Sequence, residues 1–238
     1  MSSKYLLGDV SKSMTPKGLH ALQEVGFVLP YYIANYKGGR NECFMYGMDK
    51  ETNWQDYDLT SAYTSVLSKA GHPDYSALRR LDEQELQALS RDEILYSYLI
   101  IHAQFEFPPE TKYPSIPCYV DENCTIYPLR GVCVITGAEY ILALSQGCRF
   151  TYDDVFLIPF ATDEYKDTKP FSTVIKLVLD KRREFAKGTI SNLMYKEIGN
   201  SIYGSVVRGI SDKRKFDIKS QGTVRMVGDD LTNPIIAS

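Results

Sequence analysis

The chain has 238 residues, of which 44% are hydrophobic and 24% charged, and it carries a net charge of −3. That is enough apolar material for a sizeable core in one or two domains, and it excludes a disordered polymer. No apolar run approaches the roughly 20 residues that span a bilayer, and the opening Met1-Ser-Ser-Lys-Tyr-Leu-Leu-Gly-Asp lacks the order of a secretion signal, so a soluble, cytoplasmic protein is expected. Cys43, Cys118, Cys124, Cys133 and Cys148 are odd in number and form no Cys-x-x-Cys pair, which reads as reduced, mostly buried thiols. His20, His72 and His102 are scattered without metal-ligand spacing and take structural or surface roles.

In chain order, a helix is expected over Pro16 to Val25, ending at Gly26, with no readable chemistry. Tyr36-Lys-Gly-Gly-Arg-Asn-Glu42 reads as a loop, because paired glycines let a backbone turn and approach a partner. Trp54 to Leu59 has a strand-like pattern that puts Asp58 at a strand end. Ser61 then caps a helix over Ala62–Lys69 that stops at Gly71, with Pro73 beyond. Leu95 to Phe107 alternates as a strand with one buried side, and Pro114, Pro117 and Pro128 punctuate a hairpin turning at Asp121-Glu-Asn123. A short helix over Ala138–Ser145 ends at Gly147, and Phe150 to Phe160 is extended again. These elements point to an α+β layer with an antiparallel sheet.

From Ser172 the pattern turns helical. Val174, Ile175, Val178 and Phe185 form an apolar stripe, Gly188 suits a helix C-terminus, and Thr189 suits the N-cap of the next helix. The result is an antiparallel helical hairpin. Arg182 lies six residues before Gly188 and Lys196 seven after Thr189, which at ~1.5 Å per residue stands them ~9 and ~10.5 Å from the turn, nearly level. Beyond Lys196, Asn200 and Tyr203 follow at i+4 and i+7, so an ammonium, an amide and a phenol share one helical face.

Charge is unevenly spread. Residues 176–225 hold twelve Lys or Arg against five Asp or Glu, a local balance of +7 that leaves −10 for the rest. A basic third of this kind suits a phosphate backbone, although by itself it describes a solvated helical face equally well.

Two runs taken together carry more: Asp58-Leu-Thr-Ser-Ala-Tyr63 and, downstream, Lys196-Glu-Ile-Gly-Asn-Ser-Ile-Tyr-Gly204. In this order, with the basic hairpin between them, they resemble the catalytic motifs of family B DNA polymerases. Tyr36-Lys-Gly-Gly-Arg40 is similar to the Tyr-x-Gly-Gly element of the protein-primed branch, which serves phages, viruses and linear plasmids. The likeness runs from about Tyr36 to Ser238. It implies a partial palm over 36–170 and a fingers hairpin over 171–204. The resemblance further implies a truncated return to the palm over 205–238 and an N-terminal segment over 1–35 that would be the tail of a missing exonuclease region.

By the same resemblance, Asp58 and the carbonyl of Leu59 would hold magnesium in a two-metal site, and Lys196 would contact the phosphates and protonate the leaving pyrophosphate. The incoming deoxynucleotide would lie among Leu59, Ser61, Ala62, Tyr63, Arg182, Lys196, Asn200 and Tyr203, with Arg183 the rival of Arg182. The ring of Tyr63 would exclude a 2′-hydroxyl. Tyr36, Lys37, Gly38, Gly39, Arg40, Ser201 and Gly204 would meet DNA. The implied partners are a primed DNA template, deoxynucleoside triphosphates and a terminal protein as primer.

The sequence departs from the family pattern in two ways. Ala62-Tyr63-Thr64-Ser65 stands where Leu-Tyr-Pro-Ser is usual, and the downstream Tyr-x-Asp-Thr-Asp strand with the other metal carboxylate is absent. A fragment inactive alone is the resulting expectation. Gly228-Asp-Asp230 offers a rival, an RNA-directed RNA polymerase using Asp229 and Asp230, but Leu231-Thr-Asn-Pro234 breaks the strand such a turn needs. A non-catalytic nucleic-acid-binding protein using residues 176–225 is the other alternative.

Overall fold

The computed structural model describes residues 25–48, 50, 53–59, 61–121, 124–161, 169–207, 213–217 and 222–226. Along them run α1 (Leu29–Asn35), α2 (Ala62–Leu67), β1 (Arg79–Arg80), α3 (Glu83–Ala88), α4 (Arg91–Leu95), β2 (Ser97–Glu106), β3 (Cys118–Asp121), β4 (Cys124–Ile126), β5 (Arg130–Thr136), α5 (Gly137–Ser145), β6 (Arg149–Pro159), α6 (Ser172–Arg183), α7 (Ile190–Val207), β7 (Lys213–Asp217) and β8 (Gly222–Met226). The class is α+β, and every strand pairing is antiparallel. The expected helix over Pro16–Val25 and the Gly228-Asp-Asp230 turn lie outside the described residues.

The central sheet has the order β1-β6-β2-β5. One face carries Leu99, Ile101, Ala103 and Phe105 of β2 against Leu86, Ile94, Tyr140 and Ala143 of the three helices α3, α4 and α5. Two of those helices begin in reciprocal caps: Glu85 Oε2 accepts from the Asp82 backbone N–H while Asp82 accepts from Glu85, and Ser90 and Glu93 do the same.

Contrary to the expectation of one buried side, Leu99, Ile100 and Ile101 are all buried. The reason is α1, which lays Leu29 and Tyr32 over the second face against Ile100, Phe156 and Ile158. Each fully buried aliphatic side chain there contributes about 1.5–3 kcal/mol. Leu95 belongs to α4, not to the strand.

A second correction concerns Trp54 to Leu59. These residues form no strand, and Trp54, Tyr57 and Leu59 are exposed. A strand-like pattern needs a neighbour to pair with, and among the described residues none flanks this segment. Asp58 therefore precedes α2 from an extended segment rather than a sheet.

α2 itself stops at Leu67, short of the expected Lys69, and joins α6 and α7. Leu67, Phe171, Ile175, Val178, Ile202 and Val206 form a separate apolar cluster. The helix bearing Tyr63 is thus packed on the helical hairpin, and the four-stranded sheet is a different layer. The Tyr98 hydroxyl donates to the Gly71 carbonyl at 2.8 Å, linking the two.

The hairpin of β3 and β4 matches expectation, its turn residues 122–123 lying outside the described residues. α6 ends at Arg183 rather than running to Gly188, and Gly188 supplies the positive φ of the turn, +89°. At the next helix the Thr189 hydroxyl accepts from the Asn192 N–H at 3.4 Å, as a capping residue does. β7 and β8 pair as an antiparallel ribbon. Against the expectation of mostly buried thiols, only Cys133 and Cys148 are buried, while Cys43 and Cys124 lie exposed in a loop and a two-stranded hairpin outside the central sheet.

Candidate functional site

The short α2 and the helical hairpin meet because α7 is narrow at Gly199. A Cβ there would lie 3.4 Å from the Thr64 Cγ2, so glycine lets the two helices approach. At this contact a narrow pocket is lined by Ser61, Thr64, Arg182, Tyr195, Lys196, Gly199 and Asn200, with Ile175, Val178 and Leu179 forming its apolar wall. Its interior holds only about 20 Å³, and of its polar lining Lys196 and Asn200 are exposed.

Ser61 shapes that pocket. Its φ of +57° is, among the described residues, the single left-handed non-glycine backbone, a conformation that costs a serine about 1–2 kcal/mol. Turned this way, the hydroxyl does not cap α2 as expected. Instead it accepts a long hydrogen bond from Arg182 Nη1 at 3.4 Å, while the Ser61 carbonyl accepts from the Thr64 hydroxyl at 3.0 Å. Arg182 and Lys196, level in the sequence count, do line one pocket. Arg183 turns to solvent and pairs with Asp180 at 3.1 Å.

Asp58 and Leu59 are exposed. Three residues of chain reach at most about 11 Å, so Asp58 stays within that distance of Ser61 and of the cationic pocket beside it. Among the described residues no group of three or more His, Cys, Asp or Glu is placed to hold a metal. One carboxylate and one carbonyl do not make a two-metal site, so the described residues alone do not fit the implied magnesium pair.

Tyr63 stacks on Tyr203, ring centroids 4.6 Å apart at 24°. Ala62, Tyr63 and Tyr203 line a larger apolar cleft of about 680 Å³ that Tyr96, Tyr98 and Phe160 close from the sheet side. On its other flank Tyr203 lines a polar cleft of about 340 Å³ with Tyr36, Lys37, Gly38, Arg40, Tyr127 and Glu139. Partial burial, reinforced by a hydrogen bond with Tyr36, pushes the Tyr203 hydroxyl up to about 12. The space opposite Gly39 is bounded by the Tyr63 hydroxyl, 3.7 Å from where a Cβ would sit. Residues from all three sequence runs therefore converge on one tyrosine stack.

The loop cations face inward. Lys37 donates to the Val134 carbonyl at 3.3 Å and to the Asn35 carbonyl at 3.5 Å, and burial lowers its pKa. Arg40 pairs with Glu42, donates to the Pro114 carbonyl at 2.9 Å, and lies 3.8 Å over the Tyr127 ring. Gly38 and Gly204 face open space, and the exposed Ser201 donates to the Ile198 carbonyl at 2.9 Å. Thr64, Tyr195 and Gly199 belong to the pocket but carry no signal in the sequence beyond their spacing from Ser61 and Lys196.

No family model matches the chain. Over 210 residues it is 32% identical to a curated protein, the primer-independent DNA polymerase PolB of Escherichia coli; the match covers 85% of this chain and 23% of that polymerase. The chain thus spans about a quarter of the length of this relative. Among solved structures it is similar to Phi29 DNA polymerase in an orthorhombic crystal form. That match has 15% identity and a TM-score of 0.47, and it covers 76% of this chain and 32% of that one.

Proposed function

We propose that this chain is a portion of a family B DNA polymerase, carrying the nucleotide-binding half of an active site that extends a DNA strand with deoxynucleotides. The observation that carries the reading is the shared pocket of Arg182, Lys196, Ser61 and Asn200 beside the Tyr63–Tyr203 stack. Sequence identity to a DNA polymerase over most of the chain supports it.

In this reading Arg182 and Lys196 neutralise the triphosphate, Asn200 borders the nascent base pair, and Tyr63 lies under the sugar. Palm and fingers correspond to residues 36–170 and 171–204. The loop 36–40 and the face bearing Ser201 and Gly204 take the template. A divalent cation, magnesium by resemblance, would find Asp58 and the Leu59 carbonyl but needs a further carboxylate. On this reading the described residues bind nucleotide, and among them the metal site that strand extension needs is incomplete. The relative is named as primer-independent, and the protein-primed branch starts from a protein hydroxyl. Both beginnings dispense with a nucleic-acid primer, and we assign that property to the parent enzyme.

The test is equilibrium binding of a deoxynucleoside triphosphate and its ribonucleotide counterpart to the 238-residue chain. Lys196→Ala and Arg182→Ala each weaken binding by about tenfold, the worth of a charge-assisted contact. Tyr63→Ala removes the preference for the deoxy form. Equal affinity across the native chain and all three variants would leave only the non-catalytic nucleic-acid-binding alternative.

A further inference from the structure

Asn192 is a polar side chain only 8% exposed, deep in the helical hairpin and outside the pocket lining. Its amide Nδ2 donates across the hairpin to two carbonyls of the opposite limb, Arg182 at 3.0 Å and Phe185 at 3.2 Å. Those carbonyls belong to the last turn of α6 and the residues just past it, where a helix runs out of N–H partners. Past the helix end the Arg182 carbonyl also accepts from the Glu184 N–H and, at 3.3 Å, from the Phe185 N–H. The anchor is itself held: the Asn192 N–H donates to the Thr189 hydroxyl, and Phe185 stacks on Tyr195 with centroids 5.8 Å apart.

Successive residues on a helix are turned by about 100°. In the last turn of α6 that rotation decides which of two adjacent arginines faces the pocket, because Arg182 and Arg183 are chemically identical. Two hydrogen bonds from a buried, fixed donor to carbonyls three residues apart set both the height and the rotation of the turn. The outcome is Arg182 toward Ser61 and Arg183 toward Asp180.

We infer that Asn192 is a positioning residue for polyphosphate binding, selecting Arg182 over Arg183 as the cation that faces Lys196. The inference rests on the nucleotide-site reading above. It assigns no chemistry to Asn192, which acts only through Arg182.

Inorganic tripolyphosphate is the probe, titrated by calorimetry into the intact 238-residue chain. Arg182→Ala weakens its binding by about tenfold, and Asn192→Ala by about three- to tenfold. The combined variant binds no more weakly than Arg182→Ala alone. Arg183→Ala is neutral in the native background but weakens binding once Asn192 is Ala, since either arginine then reaches the pocket. Asn192→Leu, of similar size and uncharged but without the Nδ2 donor, gives the same pattern and carries the test if Asn192→Ala does not fold, as judged by its thermal transition.

A merely structural asparagine would lower the transition temperature and leave this coupling at zero. Additive losses from Asn192→Ala and Arg182→Ala, or native affinity in both Asn192 variants, would overturn the inference while leaving the site intact. Native affinity in Arg182→Ala would instead remove the nucleotide-site reading and the inference with it.

Discussion

Tyr203 joins three segments far apart in sequence: its ring stacks on Tyr63, its hydroxyl bonds Tyr36, and it lines clefts on both sides. Its pKa lies near 12 against an ordinary 10, chiefly through burial of the phenol. The folded state thus retains a proton that the unfolded chain loses first. The associated stability is fully present below about pH 10 and disappears as the pH rises through about 12. Tyr203→Phe keeps the stack and removes this ionisation. In an alkaline titration of tyrosinate absorbance, the difference between the native chain and this variant rises near pH 12; a difference centred at 10 would mean the hydroxyl is free. At this scale the sequence was partly legible. Helical counting levelled Arg182 with Lys196, but it left Arg182 and Arg183 equivalent, because the choice depends on hydrogen bonds made by Asn192 across the turn. Lys37 misleads in the same way: a lysine beside two glycines reads as exposed, whereas strand β5 accepts its ammonium through the Val134 carbonyl.

Among the elements, those with local signals were readable and those that depend on distant partners were not. Gly147 and Gly188 marked turns correctly, both at positive φ. The Asp82-x-x-Glu85 and Ser90-x-x-Glu93 boxes that start α3 and α4 were equally visible in the sequence, yet they were submerged in a charged stretch with little apolar period. Trp54–Leu59 failed for the opposite reason, since its pattern promises a strand that only a partner can complete. The hairpin turn offers the sharpest test of local chemistry. Nothing lies within 4 Å of a Cβ built on Gly188, so any cost of a side chain there is backbone strain alone. Gly188→Ala should destabilise the chain by about 1 kcal/mol, and Gly188→Asn by less, because asparagine tolerates positive φ. Chemical denaturation reads the difference. An alanine variant with an unchanged midpoint would show that the turn readily takes another backbone path.

Across the whole molecule, the uneven spread of charge sets what a polyanion would meet. Residues 176–225 carry a balance of +7 on a chain of net −3, so repulsion from the acidic remainder orients a polyanion toward the helical hairpin and the ribbon that follows. If each of the twelve cations released one counterion, log affinity for duplex DNA would fall with log salt at a slope of about −11. Several are already committed: Lys181 bonds Glu184 at 2.9 Å, Arg183 bonds Asp180 at 3.1 Å, and Arg182 is turned to Ser61. A cation already holding a protein carboxylate displaces fewer ions on binding, so the slope should be clearly shallower than that limit. Asp58 is an exposed carboxylate outside residues 176–225, three residues before the pocket-lining Ser61. Asp58→Ala should therefore leave the slope unchanged and the affinity equal or slightly higher, since it removes a negative charge. Fluorescence anisotropy of a labelled duplex over a salt series measures both quantities. A slope near zero would separate the basic third from DNA, and a loss of affinity in Asp58→Ala would bring the carboxylate into DNA binding.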